Sequence, residues 1–340
     1  MRMGVSSVGA VRSGWNGGGT RADRAREAKR KRNGGGPRLW HPRPAPALPR
    51  AGRGPIMQSF SSIVAQAAEI TEGGAVLHAA VTEDWLQGKA AFGGLQGALG
   101  VLAMRAAVGD ALPLRALQVT FVAAVEGPSI AQATVVRRGR AVTHAQCTLS
   151  SGGRPAALMV GLFGAARESK AVADMPMPEL RGPAELREAP FLPERMPGFL
   201  RHYRQRWAGG AIPYSGQPMK PSSMWVRLRE ANPQEDAGPG VLPVPAALDA
   251  PAAREANVVA LCDMPPSPVM ATLARRAPGA SLTWLLEFLA DPRSVDPRAW
   301  LMLHTETRHA AEGYTSQTAR VWDESARPVA VSHQTTAIFD

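Results

Sequence analysis

The sequence predicts an α+β fold made of two tandem copies of one unit, a helix followed by an antiparallel sheet. Three observations support this prediction. The order of one helix and then several strands occurs twice along the chain, and a Pro-rich, charged stretch separates the two occurrences. An Arg-Pro pair precedes the last strand of each copy, at Arg154-Pro155 and at Arg327-Pro328.

Charge is concentrated at the start of the chain. The 340 residues have a formal net charge of +11, but residues 1–56 alone hold 13 Lys and Arg against 2 acidic residues. The remaining 284 residues therefore carry 26 charges of each sign and are neutral overall. Because a nucleic-acid-binding domain is usually basic, the neutral part argues against a nucleic-acid partner.

The opening segment has Gly-rich runs, a Pro-rich run and almost no apolar periodicity, which predicts a disordered basic extension over residues 1–56. Three interpretations compete: a nucleic-acid-binding tail, an Arg-rich transit peptide, and an extension upstream of the true start. We favour the third, because an ordinary globular composition begins at Met57.

The two cysteines, Cys147 and Cys262, lie in separate apolar contexts without metal-ligand spacing. This pattern favours neither a disulfide framework nor a zinc site, and we expect no metal and no cofactor. No apolar run approaches the ~18 residues of a membrane span, so we expect no membrane association and a cytoplasmic protein.

We expect a first domain over residues 57–166, a linker over 167–200 and a second domain over 201–340. In the first domain, apolar residues at helical spacing predict a helix over about Leu95 to Val108, directly after Gly93 and Gly94. Four strands are predicted to follow it, over 116–125, 130–137, 141–149 and 156–163.

The second domain repeats that order, with a helix predicted over about Pro265 to Arg276 and Asp263 at its start. Strands are predicted over 281–289, 300–308, 314–322 and 329–339. Gly93 and Arg154 are 61 positions apart, and Asp263 and Arg327 are 64 apart. This similar spacing supports the duplication.

Several stretches resemble a known family. Residues 91–99 (AFGGLQGAL) look like the start of the central helix in acyl-CoA thioesterase II-type proteins, and residues 280–284, 303–308 and 327–334 look like that family's second domain. The resemblance covers roughly 57–340. It implies a tandem (double) hotdog fold, in which each antiparallel sheet wraps around a central helix, and hydrolysis of acyl-CoA to free acid and CoA. It also implies pairing into a homodimer.

The resemblance also assigns roles within the second domain. A Gln on the family's last strand helps to hold the attacking water, and Gln334 matches it. Thr283 occupies the position that usually holds an acidic residue, and Arg308 the position that usually holds Thr or Ser. Because Thr cannot act as a base near neutral pH, the set is incomplete, and Glu287 is a candidate substitute on the same strand face.

Other candidates follow from the chemistry of thioester hydrolysis, which needs donors for a developing oxyanion. Gly93 and Gly94 stand at a helix N-terminus and either let a carbonyl approach the free N–H groups or form a tight turn. Asp263 either caps its helix or binds substrate, and Trp284 either lines an acyl tunnel or fills the core.

The last strand of the second domain contains the polar run Ser332 to Thr336, whereas its counterpart, Ala156 to Phe163, is apolar throughout. Polar groups in a core strand are costly unless they are paired or used, although an edge strand facing water explains them without function. Two classes of function therefore stay open, an acyl-CoA thioesterase and a non-catalytic acyl-CoA-binding or scaffold protein. The missing acidic residue favours the second.

Overall fold

The structure, a computed structural model, describes residues 57–232 and 245–339. The predictions made for residues 1–56 lie outside the described residues. The described part has three α-helices: α1 (Phe60–Val64), α2 (Gly93–Val108) and α3 (Pro251–Cys262).

The strands of the first half are β1 (Glu69–Thr71), β2 (Gly74–Val81), β3 (Leu86–Gln87), β4 (Ala90–Ala91), β5 (Leu114–Phe121), β6 (Gly127–Arg138), β7 (Val142–Ser151) and β8 (Arg154–Gly164). Those of the second half are β9 (Tyr203–Gly209), β10 (Ser222–Leu228), β11 (Gly279–Phe288), β12 (Leu301–Ala311), β13 (Tyr314–Asp323) and β14 (Pro328–Ile338).

Twelve of these strands form one antiparallel sheet in the order β1-β2-β6-β7-β8-β5-β11-β14-β13-β12-β10-β9. The two halves contribute six neighbouring strands each and meet where β5 pairs with β11, with Leu117 opposite Leu286. The sheet therefore continues from one copy into the other, and the eight strands predicted after the two helices are confirmed.

Helix α2 is buried on almost every side, because all but two of its residues, Gln96 and Arg105, are apolar or glycine. It packs against β2, β6, β7 and β8 of its own half and against α3 of the other half. The sheet of the first half thus wraps around one central helix, as predicted, and α3 packs against β10 in the second half.

The position of the second helix was predicted wrongly. The helix runs over Pro251–Cys262, and residues 265–276 contain only a short 3-10 helix, Pro268–Thr272. Pro265, Pro266 and Pro268 explain the difference, because proline removes backbone donors and restricts the residue before it. The second copy therefore has a segment without α-helix over 263–278, which we call the covering segment; its 3-10 helix packs against β12.

A buried ion pair joins α2 to α3. Arg105 donates from Nη2 to Glu255 Oε1 at 2.6 Å and from Nε to Glu255 Oε2 at 2.9 Å, and both side chains are almost fully buried. The guanidinium also donates to the carbonyl oxygens of Gly109 and Leu112. Burial raises the pKa of Glu255, while the bonds from Arg105 act in the opposite direction.

The linker covers part of the outer face of the second half. Trp225 and Trp322 point outward from β10 and β13, and their indole N–H groups donate to the carbonyl oxygens of Arg181 and Met175 at 3.0 and 2.7 Å. Met177 and Leu180 pack on the same cluster of buried residues. The linker is therefore attached to the sheet by hydrogen bonds as well as by apolar contacts.

No helix among the described residues is long and apolar enough to cross a membrane.

We predict that Glu255→Leu lowers the free energy of unfolding by about 3–5 kcal/mol, because it leaves the buried Arg105 without its carboxylate. The double variant Arg105→Met/Glu255→Leu should recover most of this loss, since neither charge then remains buried. Urea unfolding of the full chain measures both. The matched control is Arg254→Ala on the same helix, α3, which removes an exposed ion pair with Asp249. It should not change the midpoint of urea unfolding. Equal losses in the single and double variants would contradict the prediction.

Candidate active site

Asp263 directly follows α3 and caps its C-terminal end, where its N–H points to the carbonyl oxygen of Ala260. The prediction that Asp263 begins a helix was therefore wrong, since the helix precedes it and a segment without α-helix follows. The corrected position of Asp263 matters for the site, because the C-terminal end of α3 meets the first turn of α2.

The carboxylate of Asp263 accepts two hydrogen bonds, one from the backbone N–H of Gly94 and a short one from Nε2 of Gln334. A Cβ at Gly93 would lie 2.7 Å from Oδ2 of Asp263 and 3.1 Å from the ring of Phe121. Only glycine leaves room for the carboxylate at this helix terminus. The structure thus brings together Gly93, Gly94, Asp263 and Gln334.

Gln334 is itself held in place. Its Oε1 accepts a hydrogen bond of 3.0 Å from Nε2 of Gln317, which lies opposite it on β13, and both side chains are buried. Strand β14 pairs with β11 on one side and β13 on the other. The edge-strand explanation for its polar residues is therefore wrong: Ser332, Gln334 and Thr336 point to the interior, while His333 and Thr335 lie on the outer face.

Burial raises the pKa of Asp263 to about 7, and the hydrogen bonds from Gln334 and from the Gly94 N–H limit that rise because they favour the charged form. The buried phenol of Tyr203 has its pKa raised well above the usual value, first by burial and then by the carboxylates of Glu230 and Asp263. Asp263 is therefore a carboxyl group that changes charge near neutral pH.

Thr283, Glu287 and Arg308 lie on the other face of the sheet. Thr283 and Glu287 are exposed on the same face of β11, as predicted, and Glu287 approaches His333 at 3.4 Å. Arg308 is exposed and pairs with Glu306 at 3.1 Å. The structure does not place these three residues with Gln334, because neighbouring positions of a strand point to opposite faces.

Trp284 is inward-facing and lies opposite Gln334 in the register. It is almost completely buried, its indole N–H donates to Ser332 Oγ at 2.8 Å, and its ring lies where a Cβ at Gly97 would be. The structure places it in the packed core between α2 and the sheet, which is the second of the two interpretations given for it.

Ser281 was missed by the sequence analysis. A register shift between Ser281 and Thr283 makes Leu282 an extra residue, so that Ser281 lies opposite Thr336, and Thr283 opposite Thr335. Because opposed residues share a face, Ser281 lies on the inner face with Thr336 and Gln334. Simple alternation from Thr283 would also put Ser281 outside, and no signal in the sequence marks the bulge.

Among the described residues, no group of three or more His, Cys, Asp or Glu side chains is arranged to hold a metal ion.

The geometry defines a class of protein, a double hotdog with a buried carboxylate at the contact between its two copies. A family model described as the acyl-CoA thioesterase N-terminal domain matches residues 81–164, and one described as the acyl-CoA thioesterase C-terminal domain matches residues 183–338. Together these matches cover well over half of the chain. The chain belongs to this acyl-CoA thioesterase family. No curated protein sequence matches it.

Solved structures share the fold. A conserved protein of unknown function with a hot dog fold from Alicyclobacillus acidocaldarius has a TM-score of 0.68 at 22% identity, covering 84% of this chain and 99% of that one. A putative thioesterase II from Thermobifida fusca has 0.65 at 18% identity, covering 84% and 100%. The acyl-CoA thioesterase II TesB2 from Mycobacterium marinum has 0.62 at 16% identity, covering 83% and 99%. These likenesses confirm the tandem hotdog fold.

We predict that Asp263→Asn makes the protein more stable than the original at pH 8 and that the difference disappears near pH 4. The pKa of Asp263 is raised from 3.8 to about 7 on folding, so the protonated form stabilises the fold below pH 3.8 and this contribution is lost as pH rises through 7. The slope is at most about 1.4 kcal/mol per pH unit. Urea unfolding between pH 4 and 8 measures it. A difference independent of pH would contradict the assignment.

Proposed function

We propose that the chain hydrolyses acyl-CoA thioesters to free acid and CoA, with Asp263 as the general base. The observation that carries this proposal is a carboxylate of raised pKa, bonded by Gln334 and by a backbone N–H at the N-terminus of α2. A base with a pKa near the working pH is the most effective one. The family membership supports the same reaction.

The reaction needs only water and the groups of the site. Asp263 takes a proton from a water molecule whose oxygen attacks the thioester carbonyl carbon. The carbonyl oxygen becomes negatively charged, and a free N–H of the first turn of α2, at Gly93, stabilises it. The carbon–sulfur bond then breaks, the thiolate of CoA leaves, and the proton on Asp263 passes to the sulfur.

Several side chains position this base and its water. Gln334 donates from Nε2 to Asp263, and Gln317 fixes the orientation of the Gln334 amide by donating from its own Nε2 to Gln334 Oε1. Ser281 lies on the same inner face, directly opposite Thr336. Its hydroxyl is our candidate for holding the water. Gln334 and Ser281 act as positioning residues in this proposal, and Asp263 as the catalytic residue.

The main argument for a non-catalytic protein was the Thr at position 283 in place of an acidic residue. Thr283 is exposed on the outer face, whereas Asp263 supplies a buried carboxylate on the inner face. The specific support for the non-catalytic alternative is thereby lost, and it becomes an outcome of the test.

We predict that Asp263→Asn lowers kcat for a panel of acyl-CoA substrates by about 10²–10⁴-fold, the usual contribution of a general base. Release of free CoA thiol measures it. Thr283→Val and Glu287→Gln, changes of similar size on the outer face, should keep at least half of the activity. Full activity in Asp263→Asn with loss in Thr283→Val would reverse the assignment. Tight acyl-CoA binding without turnover in the unchanged protein would favour the non-catalytic alternative.

We predict that kcat/KM rises with pH up to about 7 in the original protein, because Asp263 must be deprotonated to act. In Gln334→Ala the rising limb should move to higher pH, since a hydrogen bond that favours the charged carboxylate is gone. Gln334→Glu is the second variant: its carboxylate faces Asp263 and should move the limb further in the same direction. pH–rate profiles measure both. An unshifted limb in both variants would show that Gln334 does not act through Asp263.

A further inference from the structure

A row of hydroxyl side chains lies on the inner face of the second half of the sheet, beyond Gln334. We call it the hydroxyl face; it comprises Ser222, Thr305, Thr307, Thr315 and Thr336. Register places the members side by side on four strands: Ser222 of β10 is opposite Thr305 of β12, and Thr315 of β13 is opposite Thr336 of β14. Opposed residues share a face.

These hydroxyls are buried without hydrogen-bond partners. Ser222, Thr305 and Thr315 are 2%, 0% and 2% exposed, and within the described residues no group bonds the hydroxyl oxygen of any of the five residues. Leaving one buried hydroxyl unsatisfied costs about 1–3 kcal/mol. A whole row of them indicates a surface that meets hydrogen-bonding groups from outside the chain.

The hydroxyl face is continuous with the candidate active site. Gln317, which bonds Gln334, lies opposite Thr307 in the register of β12 and β13, and its own Oε1 has no partner among the described residues. Neighbouring strands are ~4.8 Å apart, so Thr307 lies about two strand spacings from Gln334. A chain attached to a thioester beside Asp263 can reach it.

The other direction into the interior is closed by packing. A Cβ at Gly97 would lie 2.9 Å from the Trp284 ring, and one at Gly100 would lie 2.1 Å from the sulfur of Met159. Helix α2 therefore leaves no room for an acyl chain along its glycine face. The direction that remains is toward the hydroxyl face, and the buried Ser267 of the covering segment also has a hydroxyl without a partner among the described residues.

The first copy shows this feature only in part. Most inner positions of β6 and β7 are apolar, with Ala131, Ala133, Ala145, Cys147 and Leu149 all buried. Two are polar: Ser129 donates to the carbonyl oxygen of Gly127, and the hydroxyl of the buried Thr143 has no partner among the described residues. Among the described strands, a row of such hydroxyls across four neighbouring strands belongs to the copy that contains Asp263 and Gln334.

We propose that the hydroxyl face binds the acyl chain and that the preferred substrate carries an uncharged oxygen on that chain, a hydroxyl or a keto group. The proposal rests on the proposed function of the same site. The members of the hydroxyl face and Gln317 beside them carry no charge, and the acidic residue of this inner face, Asp323 opposite Leu301 at the far end of β13, is paired with Arg327. This uncharged lining disfavours a carboxylate on the acyl chain. The charged nucleotide of CoA would have to stay outside, because burying it here would leave its charges unpaired.

A matched pair of substrates tests the proposal in the full chain. We expect kcat/KM for 10-hydroxydecanoyl-CoA, whose hydroxyl is far enough from the thioester to reach the row, to exceed that for decanoyl-CoA at least tenfold. A site built for a hydroxyl discriminates against the analogue that lacks it. Thr305→Val and Thr315→Val remove one hydroxyl at almost constant volume and should each lower this ratio at least fivefold. Thr335→Val, on the outer face of β14, is the control and should leave the ratio unchanged.

Three results would overturn the proposal. A ratio of one or less in the original protein would show no preference for oxygen. An equal loss for both substrates in Thr305→Val would show that the face contacts the pantetheine arm of CoA, which both share. A lower ratio in Thr335→Val would show that the change is not specific to the inner face.

Binding separates this proposal from the proposed function. The Asp263→Asn variant should bind 10-hydroxydecanoyl-CoA at least tenfold more tightly than decanoyl-CoA in calorimetric titration. If no thioester is hydrolysed by the original protein but this binding ratio holds, the hydrolytic function fails and the substrate preference stands. If hydrolysis occurs without any binding preference, the hydrolytic function stands and the substrate preference fails.

Discussion

The close antiparallel contact between α2 and α3 is the constraint on which the site depends. At one end, a Cβ at Gly94 would lie 2.6 Å from the carbonyl oxygen of Ala260, so the helices meet there backbone to backbone. At the other end, Arg105 bonds Glu255. Holding both ends fixes the carboxylate of Asp263 at the first turn of the opposite helix. The same burial that positions this carboxylate raises its pKa, so geometry and acidity have one cause.

The two copies have divided their roles. The first supplies a helix N-terminus that carries glycines, and the second supplies the side chains that meet it. Neither copy contains the whole set, which explains why a chain of this kind keeps both. The divergence is visible in the last strands: β8 is apolar from Pro155 onward, whereas β14 places Ser332, Gln334 and Thr336 toward the interior.

The strands that follow the helices could be predicted because each has apolar residues at alternate positions, and their bounds agree with the structure within a few residues. Strand β10 could not, since all seven of its residues are buried and its sequence does not alternate. The helix of the second copy lies earlier than predicted, over Pro251–Cys262, because the prolines at 265, 266 and 268 exclude a regular helix after Asp263. With the helix predicted too late, Asp263 was expected to begin it, whereas Asp263 follows it.

The candidate site was predicted only in part, because local sequence patterns reveal some of its residues and not others. The cost of a polar run in a core strand pointed to Ser332 to Thr336, and the family resemblance singled out Gln334 within it. Glycines before a helix pointed to Gly93 and Gly94. The partnership of Asp263 with these residues is a contact between distant parts of the chain, and no local pattern encodes it. The bulge at Leu282, which puts Ser281 inside and Thr283 outside, arises from pairing across three strands.

The attachment of the linker can be followed by intrinsic tryptophan fluorescence. Trp225 and Trp322 are buried beneath it and donate to its carbonyl oxygens, and Trp300 belongs to the same cluster. Detachment of the linker would move these indoles from an apolar, hydrogen-bonded setting into water. A red shift of intrinsic fluorescence without loss of β-sheet circular dichroism would then distinguish release of the linker from unfolding of the sheet beneath it.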